Sequence, residues 1–394
     1  MKICISEKEF RERSARLNEK MKELDLDAIF VYGDEYRKEN LRYVSNFWPI
    51  FERGAMVMQR DCEPMVLCAP EGEQVAKEMS VWKDVRLVPD FVCVTVPDEI
   101  DYPLAKYTSF KTLAEEFKAK GQLKRIGVSG LDDMSAGLTK KLETAFESEL
   151  VDISSVLFEM RLKKSPDELA CLKEAARLAE VGFRAMMEAD LVGKTERYAA
   201  SIAEGAARAA GAEAVIFTVF GSGDRSARII GRPENKIIED GDMIMCALAI
   251  QYEGYVSTCE IPFAVGNYSE KTKRVIDVLI RASAAGYPHL KAGRPMKEFV
   301  CAVREHFRNE GLGEYDVYPP LHGIGCAEAE SPYPDENTEA LFEVGMAVNT
   351  DISLFGLEGG SNRIEEGFII TEDGPQTLFP FMREYYENWI RENK

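Results

Sequence analysis

A hairpin of two apolar β-strands, residues 241–263, constrains the fold of this chain more than any other stretch of its 394 residues. Apolar and β-forming residues fill both arms, and turn-tolerant residues from Gln251 to Gly254 join them. Side chains alternate between the two faces of a strand, so Thr258 and Glu260 share one face of the second arm. The sequence therefore predicts a buried hairpin whose second arm carries a single acid on that face, Glu260.

The acidic composition narrows the range of partners. The chain has 49 Lys and Arg against 68 Asp and Glu, which gives a net charge of −19. Such a field repels polyanions, so we expect neither nucleic acid nor an anionic membrane as a partner. The nine cysteines form no C-x-x-C pair and are expected to be small buried hydrophobes in a reducing compartment. With no long apolar run near residue 1, the expected location is cytoplasmic.

A junction shortly after residue 155 divides the chain into two predicted domains. Short buried strands alternate with helical patterns over residues 1–155, which predicts an α/β domain. Ser165, followed by Pro-Asp-Glu, is typical of a capped helix start and opens the domain predicted over residues 160–394. The strands predicted in the first domain are residues 27–32, 55–58, 65–69, 85–88 and 125–129.

Three further motifs follow the hairpin in the second half of the chain. They are a Leu-His-Gly-Ile-Gly run around His322, a Gly-Met strand that leads to Asp351, and an Asn-Arg-Ile-Glu strand with Arg363 and Glu365. Together with the hairpin, they resemble the metal site of the creatinase, aminopeptidase P, prolidase and methionine aminopeptidase superfamily. This resemblance implies a creatinase-like α/β N-terminal domain, an α+β "pita-bread" C-terminal domain, and a homodimer.

Only part of the metal-ligand set that the resemblance implies is present. His322 and Glu365 occupy two ligand positions, and Asp351 stands where a glutamate is expected. Ala247 and Thr258 occupy the positions of two aspartates. Neither a methyl nor a hydroxyl group bridges two hard cations as a carboxylate does. We therefore do not expect an ordinary dinuclear metallopeptidase site.

The supporting histidines of the superfamily are also missing. Ile230 stands where the resemblance implies the histidine of a His-x-x-Pro motif, and Ala329 replaces the second histidine of the later motif. The chain has three histidines, of which only His322 lies in a site motif. Its imidazole is the one candidate base with an ordinary pKa near neutrality.

The first of three hypotheses for function is a metal-independent hydrolase of a C–N bond. It follows creatinase, which works without metal and resembles this chain in carrying a glutamate at the Glu260 position. His322 and Glu260 would be catalytic, and Asp351, Glu365 and Arg363 would bind a small cationic or guanidino substrate. No cofactor is expected in this case. The clustered carboxylates repel one another, so at least one pKa should be raised.

Two other hypotheses stay open on the same residues. One is a non-catalytic pita-bread protein that binds a ligand or a protein partner. The other is an Xaa-Pro dipeptidase or aminopeptidase with a reduced metal site, acting on a short peptide. A single Mn²⁺ or Zn²⁺ would then be held by His322, Asp351 and Glu365, with Glu260 as a further oxygen ligand.

Overall fold

The computed structural model describes residues 3–92 and 102–393. The chain divides into two compact units, one from Ile5 to Met160 and the other from Arg161 onward together with the residues before Ile5. Within the described residues, no helix combines the length and the apolar character that crossing a membrane requires.

The first unit is built on one mixed sheet. Its strands are β1 Ala28–Asp34, β2 Arg53–Gln59, β3 Met65–Cys68, β4 Val85–Leu87, β5 Arg125–Ser129 and β6 Glu149–Asp152. Its helices are α1 Glu7–Glu23, α2 Glu39–Ser45, α3 Glu73–Met79, α4 Phe110–Lys120 and α5 Ala136–Phe146, and α6 Ser154–Arg161 contains the boundary between the units. The sheet order is β4-β3-β2-β1-β5-β6, with β1 antiparallel to β2 and parallel to β5. All five predicted strands are present, and only β6 was missed.

The second unit contains two four-stranded sheets. The first sheet consists of β7 Ala214–Ser222, β8 Met243–Tyr252, β9 Tyr255–Cys259 and β10 Phe263–Ala264. The second sheet consists of β11 Leu321–Gly323, β12 Ala347–Leu354, β13 Asn362–Ile370 and β14 Pro375–Thr377. The helices of this unit are α7 Pro166–Met187, α8 Glu196–Ala209, α9 Glu270–Gly286, α10 Met296–Asn309 and α11 Pro380–Glu392. The predicted architecture, an α/β domain followed by an α+β pita-bread domain, is confirmed.

The predicted hairpin is formed by β8 and β9 of the first sheet. Glu253 and Gly254 connect the two strands, both with positive φ, as a two-residue hairpin turn requires. Ala249 lies opposite Thr258 in this pairing. Every residue of the two strands except Tyr252 is buried, which explains their apolar composition. Thr258 therefore stands in a region that water does not reach.

Local sequence also accounts for the start of α7. The side chain of Ser165 accepts a hydrogen bond from the backbone N–H of Glu168, and the side chain of Glu168 accepts one from the backbone N–H of Ser165. This reciprocal pairing satisfies two backbone donors that a helix start leaves unpaired. The capping signature near the predicted domain junction is confirmed.

The cysteines only partly follow the expectation that they are buried. Cys4 is exposed, because it precedes the first helix, and Cys62 and Cys301 are partly exposed. Cys93 lies outside the described residues. The buried cysteines are Cys68, Cys171, Cys246, Cys259 and Cys326.

The two sheets of the second unit join edge to edge beside the end of the hairpin. Glu260 and Glu365 exchange two backbone hydrogen bonds, each 3.1 Å long. The side-chain amide of Asn362 donates to the carbonyl of Ile244 at 2.7 Å. This junction places Glu260, which directly follows β9, beside Glu365 of β13.

Candidate active site

A cavity of about 830 Å³ in the second unit is bordered by both sheets. Residues 216–219 of β7 supply a wall rich in apolar side chains, and the loop residues 230–233 continue it. The second sheet contributes polar residues, among them His322, Asp351 and Glu365. An apolar wall opposite a few convergent polar groups is the usual composition of a small-molecule site.

The register of the second sheet explains why these side chains converge. Asp351 of β12 lies directly opposite Glu365 of β13, and Arg363 precedes Glu365 by two residues. Residues two apart in a strand share a face, and opposite residues of an antiparallel pair lie side by side. Two like charges directly opposite each other are destabilising, so this pair needs a compensating cation.

The guanidinium of Arg363 supplies that compensation. Its Nε lies 2.7 Å from Glu260 Oε2 and 3.6 Å from Asp351 Oδ1, and its Nη2 lies 2.7 Å from Glu365 Oε1. All four side chains are at least nine-tenths buried. Buried charges are tolerated when they are paired and hydrogen-bonded, so Arg363 is what allows three acids to lie together.

The pKa values of these acids are raised, as the sequence predicted, but the largest cause is burial rather than mutual repulsion. Burial raises the pKa of Glu260 to about 7 and that of Asp351 to about 6, with Arg363 opposing both shifts. Burial also raises the pKa of Glu365. Burial alone would lower the pKa of Arg363, but the three surrounding carboxylates outweigh it and raise the value.

His322 is held with one ring nitrogen directed towards the acids. Its Nδ1 lies 2.9 Å from the carbonyl oxygen of Gly323, which only accepts, so Nδ1 carries the proton in this contact. In the neutral ring the lone pair is therefore on Nε2, which lies 3.9 Å from Glu328 Oε1. This tautomer makes Nε2 available as a base or as a metal ligand.

Glu328 is a site residue that sequence reasoning missed. Its Oε1 accepts a hydrogen bond of 3.1 Å from the hydroxyl of Thr258. His322, Glu328 and Glu365 each offer a ligand atom, and these atoms all lie within 4.8 Å of one another. The only signal in the sequence is the Glu-Ala-Glu run around Ala329, which contains two acids and does not tell them apart.

The second acid of that run, Glu330, has a structural role. Its side chain is buried and pairs with Arg161 at 2.6 Å and with Lys164 at 2.9 Å. Burial alone would raise the pKa of Glu330, but these two cations outweigh it and lower the value. Glu330 therefore anchors the loop, whereas Glu328 borders the cavity.

The remaining predicted positions fall into two groups. Ala247, Thr258 and Glu260 are fully buried and are not among the described residues that border the cavity. Ile230 and Ala329 do border it, and Ile230 is 78% exposed. The structure thus brings Glu260 to the other acids through Arg363, and only indirectly to the cavity.

A single divalent cation suits these residues better than a pair. His322, Glu328 and Glu365 offer one nitrogen and two carboxylates, a donor set that suits Mn²⁺ or Zn²⁺. Asp351 adds a buried oxygen, Oδ1, that accepts no hydrogen bond from the described residues. The first sheet offers only the methyl group of Ala247 and the hydroxyl group of Thr258, which do not replace bridging carboxylates.

Matches to known protein families cover both units. Residues 170–372 match metallopeptidase family M24, and residues 13–163 match the creatinase/prolidase N-terminal domain. An Xaa-Pro dipeptidase from Pyrococcus furiosus is 27% identical over 376 residues, which cover 95% of this chain and 99% of the relative. The uncharacterized peptidase YqhT from Bacillus subtilis is 33% identical over 233 residues, which cover 59% of this chain and 66% of the relative.

Solved structures also match both units of the chain. The prolidase from Pyrococcus horikoshii OT3 matches with a TM-score of 0.78 and 25% identity, covering 93% of this chain and 97% of that one. The prolidase from Pyrococcus furiosus matches with a TM-score of 0.75 and 25% identity, covering 92% of this chain and 98% of that one. The resemblance therefore extends through both units.

Proposed function

Because the chain belongs to metallopeptidase family M24 and carries a creatinase/prolidase N-terminal domain, we propose that it is a peptidase-like hydrolase of the Xaa-Pro dipeptidase type. Its substrate is a short peptide, and its metal site is reduced from two cations to one. The observation that carries this proposal is that His322, Asp351 and Glu365, the metal-ligand positions of the second sheet, all border one cavity.

The charge around the cavity supports a bound cation. Glu260, Glu328, Asp351 and Glu365 are four carboxyl groups, and Arg363 is the guanidinium that lies among them. One guanidinium does not neutralise four carboxylates, and burial, which raises the pKa values of Glu260 and Asp351, adds to the cost of keeping them ionised. A divalent cation held by the second-sheet residues would offset this cost.

Each part of the site has a chemical task in this proposal. His322, Asp351 and Glu365 would hold a Mn²⁺ or Zn²⁺, which would supply polarisation of the scissile carbonyl and a lowered pKa of water. His322 offers Nε2 to the site, because Gly323 holds the proton on Nδ1. Arg363 orients the Glu365 carboxyl group and opposes the rise in its pKa that burial causes, and Glu260 acts through Arg363. The wall formed by residues 216–219 binds the apolar part of the peptide and excludes water.

Arg232 offers a partner for the carboxylate of a short peptide. It borders the cavity, it is exposed, and its guanidinium makes no hydrogen bond or ion pair with the described residues. Its backbone carbonyl accepts a hydrogen bond of 2.8 Å from Arg225, whose guanidinium pairs with the buried Glu196. Arg232 thus combines a fixed backbone with an unpaired cation, which suits recognition of a free carboxylate.

The metal-independent hypothesis with a guanidino substrate has less support. Arg363 already pairs with Glu260 and Glu365 at 2.7 Å, so a guanidinium from a substrate would have to displace it. A buried pair is costly to break because one charge is left uncompensated. We therefore favour the reduced metal site over that alternative. The cytoplasmic location and the homodimer stay predictions from the sequence.

The test is hydrolysis of Xaa-Pro dipeptides by the full chain. Protein freed of metal with a chelator is assayed alone and after reloading with MnCl₂ or ZnCl₂. We expect release of proline only from the reloaded protein, and loss of activity in the His322→Ala variant. The matched control is His289→Ala, which removes a histidine that contacts Glu298 and does not border the cavity.

Two results would contradict the proposal. Equal hydrolysis with and without metal would favour the creatinase-like alternative. Binding of the dipeptide by the reloaded protein without turnover, detected as a rise in melting temperature, would favour a non-catalytic binding protein.

A further inference from the structure

The loop that follows β11 presents Glu328 from a rigid support. Gly323 and Glu330 exchange two backbone hydrogen bonds of 2.9 Å, which close the loop at its base. The backbone N–H of Val256 in β9 donates to the carbonyl of Gly325 at 2.9 Å. At this base, the buried side chain of Glu330 also pairs with Arg161, which holds the end of the loop that follows Glu328. Glu328 therefore has a fixed backbone position between the two sheets.

Thr258 contacts Glu328 directly. The threonine is fully buried at a position where the superfamily carries a ligand aspartate, and its hydroxyl donates to Glu328 Oε1 at 3.1 Å. A threonine hydroxyl is a poor substitute for a bridging carboxylate but a good hydrogen-bond donor to one. The carboxylate that the first sheet lacks is thus replaced, at the same place, by one from the loop after β11.

Glu328 also lies within reach of the retained ligands. Its carboxylate, Nε2 of His322 and the carboxylate of Glu365 form a group whose ligand atoms are all within 4.8 Å of one another. Asn349 donates to Glu365 Oε2 at 3.1 Å and so helps to orient this acid. A nitrogen and two carboxylates brought together from separate segments suit one divalent cation.

Asp351 provides an independent sign that a cation belongs here. Its side chain is 93% buried and borders the same cavity, yet Oδ1 accepts no hydrogen bond from the described residues. The guanidinium of Arg363 lies 3.6 Å from Oδ1, too far for a hydrogen bond, and buried carboxylate oxygens nearly always accept one, so Oδ1 has the capacity for a further partner. A bound ion supplies one.

We propose that Glu328 is a new metal ligand, which with His322 and Glu365 forms a single-cation site, and that Thr258 is the residue that positions it. Nothing in the metal-ligand pattern of the superfamily predicts a ligand at this position. The inference rests on the proposed function and deepens it, because it identifies how a site without the two aspartates keeps a cation.

Direct metal binding tests the proposal without relying on catalysis. The full chain, freed of metal, is titrated with MnCl₂ by isothermal titration calorimetry. We expect one Mn²⁺ per chain, and affinity at least about tenfold weaker in Glu328→Gln, since even an outer partner of a ligand is worth about 10- to 100-fold. Thr258→Val should weaken binding less than Glu328→Gln but measurably.

Glu204→Gln is the matched control. Glu204 borders the same cavity but lies outside the group of ligand atoms, so the variant should bind Mn²⁺ like the wild type. Far-ultraviolet circular dichroism and urea unfolding establish that each variant is folded. If Glu328→Gln fails to fold, Thr258→Val, which keeps every carboxylate, still decides the question.

The outcomes separate this inference from the proposed function. Wild-type affinity in both Glu328→Gln and Thr258→Val, two ions per chain, or no Mn²⁺ binding at millimolar concentration would each overturn the inference. Metal-dependent hydrolysis of Xaa-Pro dipeptides that is unchanged in Glu328→Gln would leave the proposed function standing and remove Glu328 from the site. Tight Mn²⁺ binding that depends on Glu328, without hydrolysis of any Xaa-Pro dipeptide, would support Glu328 as a ligand and contradict the proposed function.

Discussion

The two sheets of the second unit border one cavity but differ in their chemistry. The first sheet contributes the apolar residues 216–219, and its superfamily ligand positions hold Ala247 and Thr258. In the second sheet, His322 and Glu365 stand at positions that the resemblance to the superfamily makes ligands, and Asp351 takes the place of a glutamate. The difference teaches that apolar burial and strand pairing hold the strands of this fold, whether or not a strand carries acids at those positions.

The cost of burying charge differs between the two sheets. Ala247 and Thr258 are fully buried, and neither residue brings a charge that must be compensated. In the second sheet the acids remain, and Arg363 pairs with Glu260 and Glu365. A buried acid is costly unless it is paired, so Ala247 and Thr258 spare the first sheet this cost, whereas in the second sheet Arg363 offsets part of it.

The largest expected effect comes from making the first sheet resemble the second. In the metal-free protein, Ala247→Asp combined with Thr258→Asp should lower the free energy of unfolding by about 5 kcal/mol, because two more acids are buried without a partner. MnCl₂ should recover part of the loss and raise the stoichiometry to two ions per chain. Urea unfolding and calorimetry measure both quantities.

The matched control for that double variant is Ala247→Asn with Thr258→Asn, which adds similar volume without charge. It should gain no second ion. A double aspartate variant that is as stable as the wild type without metal would contradict the view that buried acids in the first sheet destabilise the metal-free fold.

Removing the guanidinium of Arg363 from the second sheet should have the next largest effect on stability. Arg363→Met leaves Glu260 and Glu365 buried without their ion pair, so the free energy of unfolding should fall by about 3–5 kcal/mol. Arg232→Met is the control, because an exposed, unpaired arginine should change stability by less than about 0.5 kcal/mol. Similar urea midpoints for the two variants would mean that Arg363 does not hold the acids together.

Glu52 of the first unit shows the cost of a buried acid that has no arginine partner among the described residues. Burial raises its pKa from 4.5 to about 7, opposed by hydrogen bonds from the backbone of Gly72 and Glu71. A raised pKa in the folded state means that stability falls as the pH rises from about 4.5 through 7. With allowance for solvent screening, wild type should lose about 1–2 kcal/mol relative to Glu52→Gln across that window.

Urea unfolding of both proteins at several pH values between 4 and 8 measures this difference. Glutamine keeps only one of the two side-chain oxygens that accept hydrogen bonds from the backbone N–H groups of Glu71 and Gly72, at every pH, so only the change in the difference with pH is informative. A difference that stays constant would show that Glu52 ionises as readily as in the unfolded chain.

Replacing Arg232, beside the first sheet, should have the smallest effect on folding and a specific effect on substrate binding. For an Xaa-Pro dipeptide, Arg232→Met should raise KM about three- to tenfold, with kcat nearly unchanged, because one exposed charge-assisted hydrogen bond is lost. The dipeptide amide should show no such change. Arg228→Met removes a neighbouring exposed arginine that does not border the cavity, and it should match the wild type.

Much of the fold could be predicted because its signals are local. The hairpin of β8 and β9, the capped start of α7 and the five strands of the first unit each follow from residue types at short spacing. The resemblance of the motifs to those of the superfamily, and no local pattern, predicted that His322, Asp351 and Glu365 belong to one site, and all three border one cavity.

By itself, then, the amino-acid sequence determined the elements, the fold class and the candidate ligands that persist. Only the tertiary structure decided which charges meet: Arg363 pairs with Glu260 across 103 residues, and Thr258 with Glu328 across 70. The packing of two sheets and a loop sets these distances, and no periodicity along the chain encodes them. For the same reason, the largest cause of the raised pKa values, burial, became visible only in the folded protein.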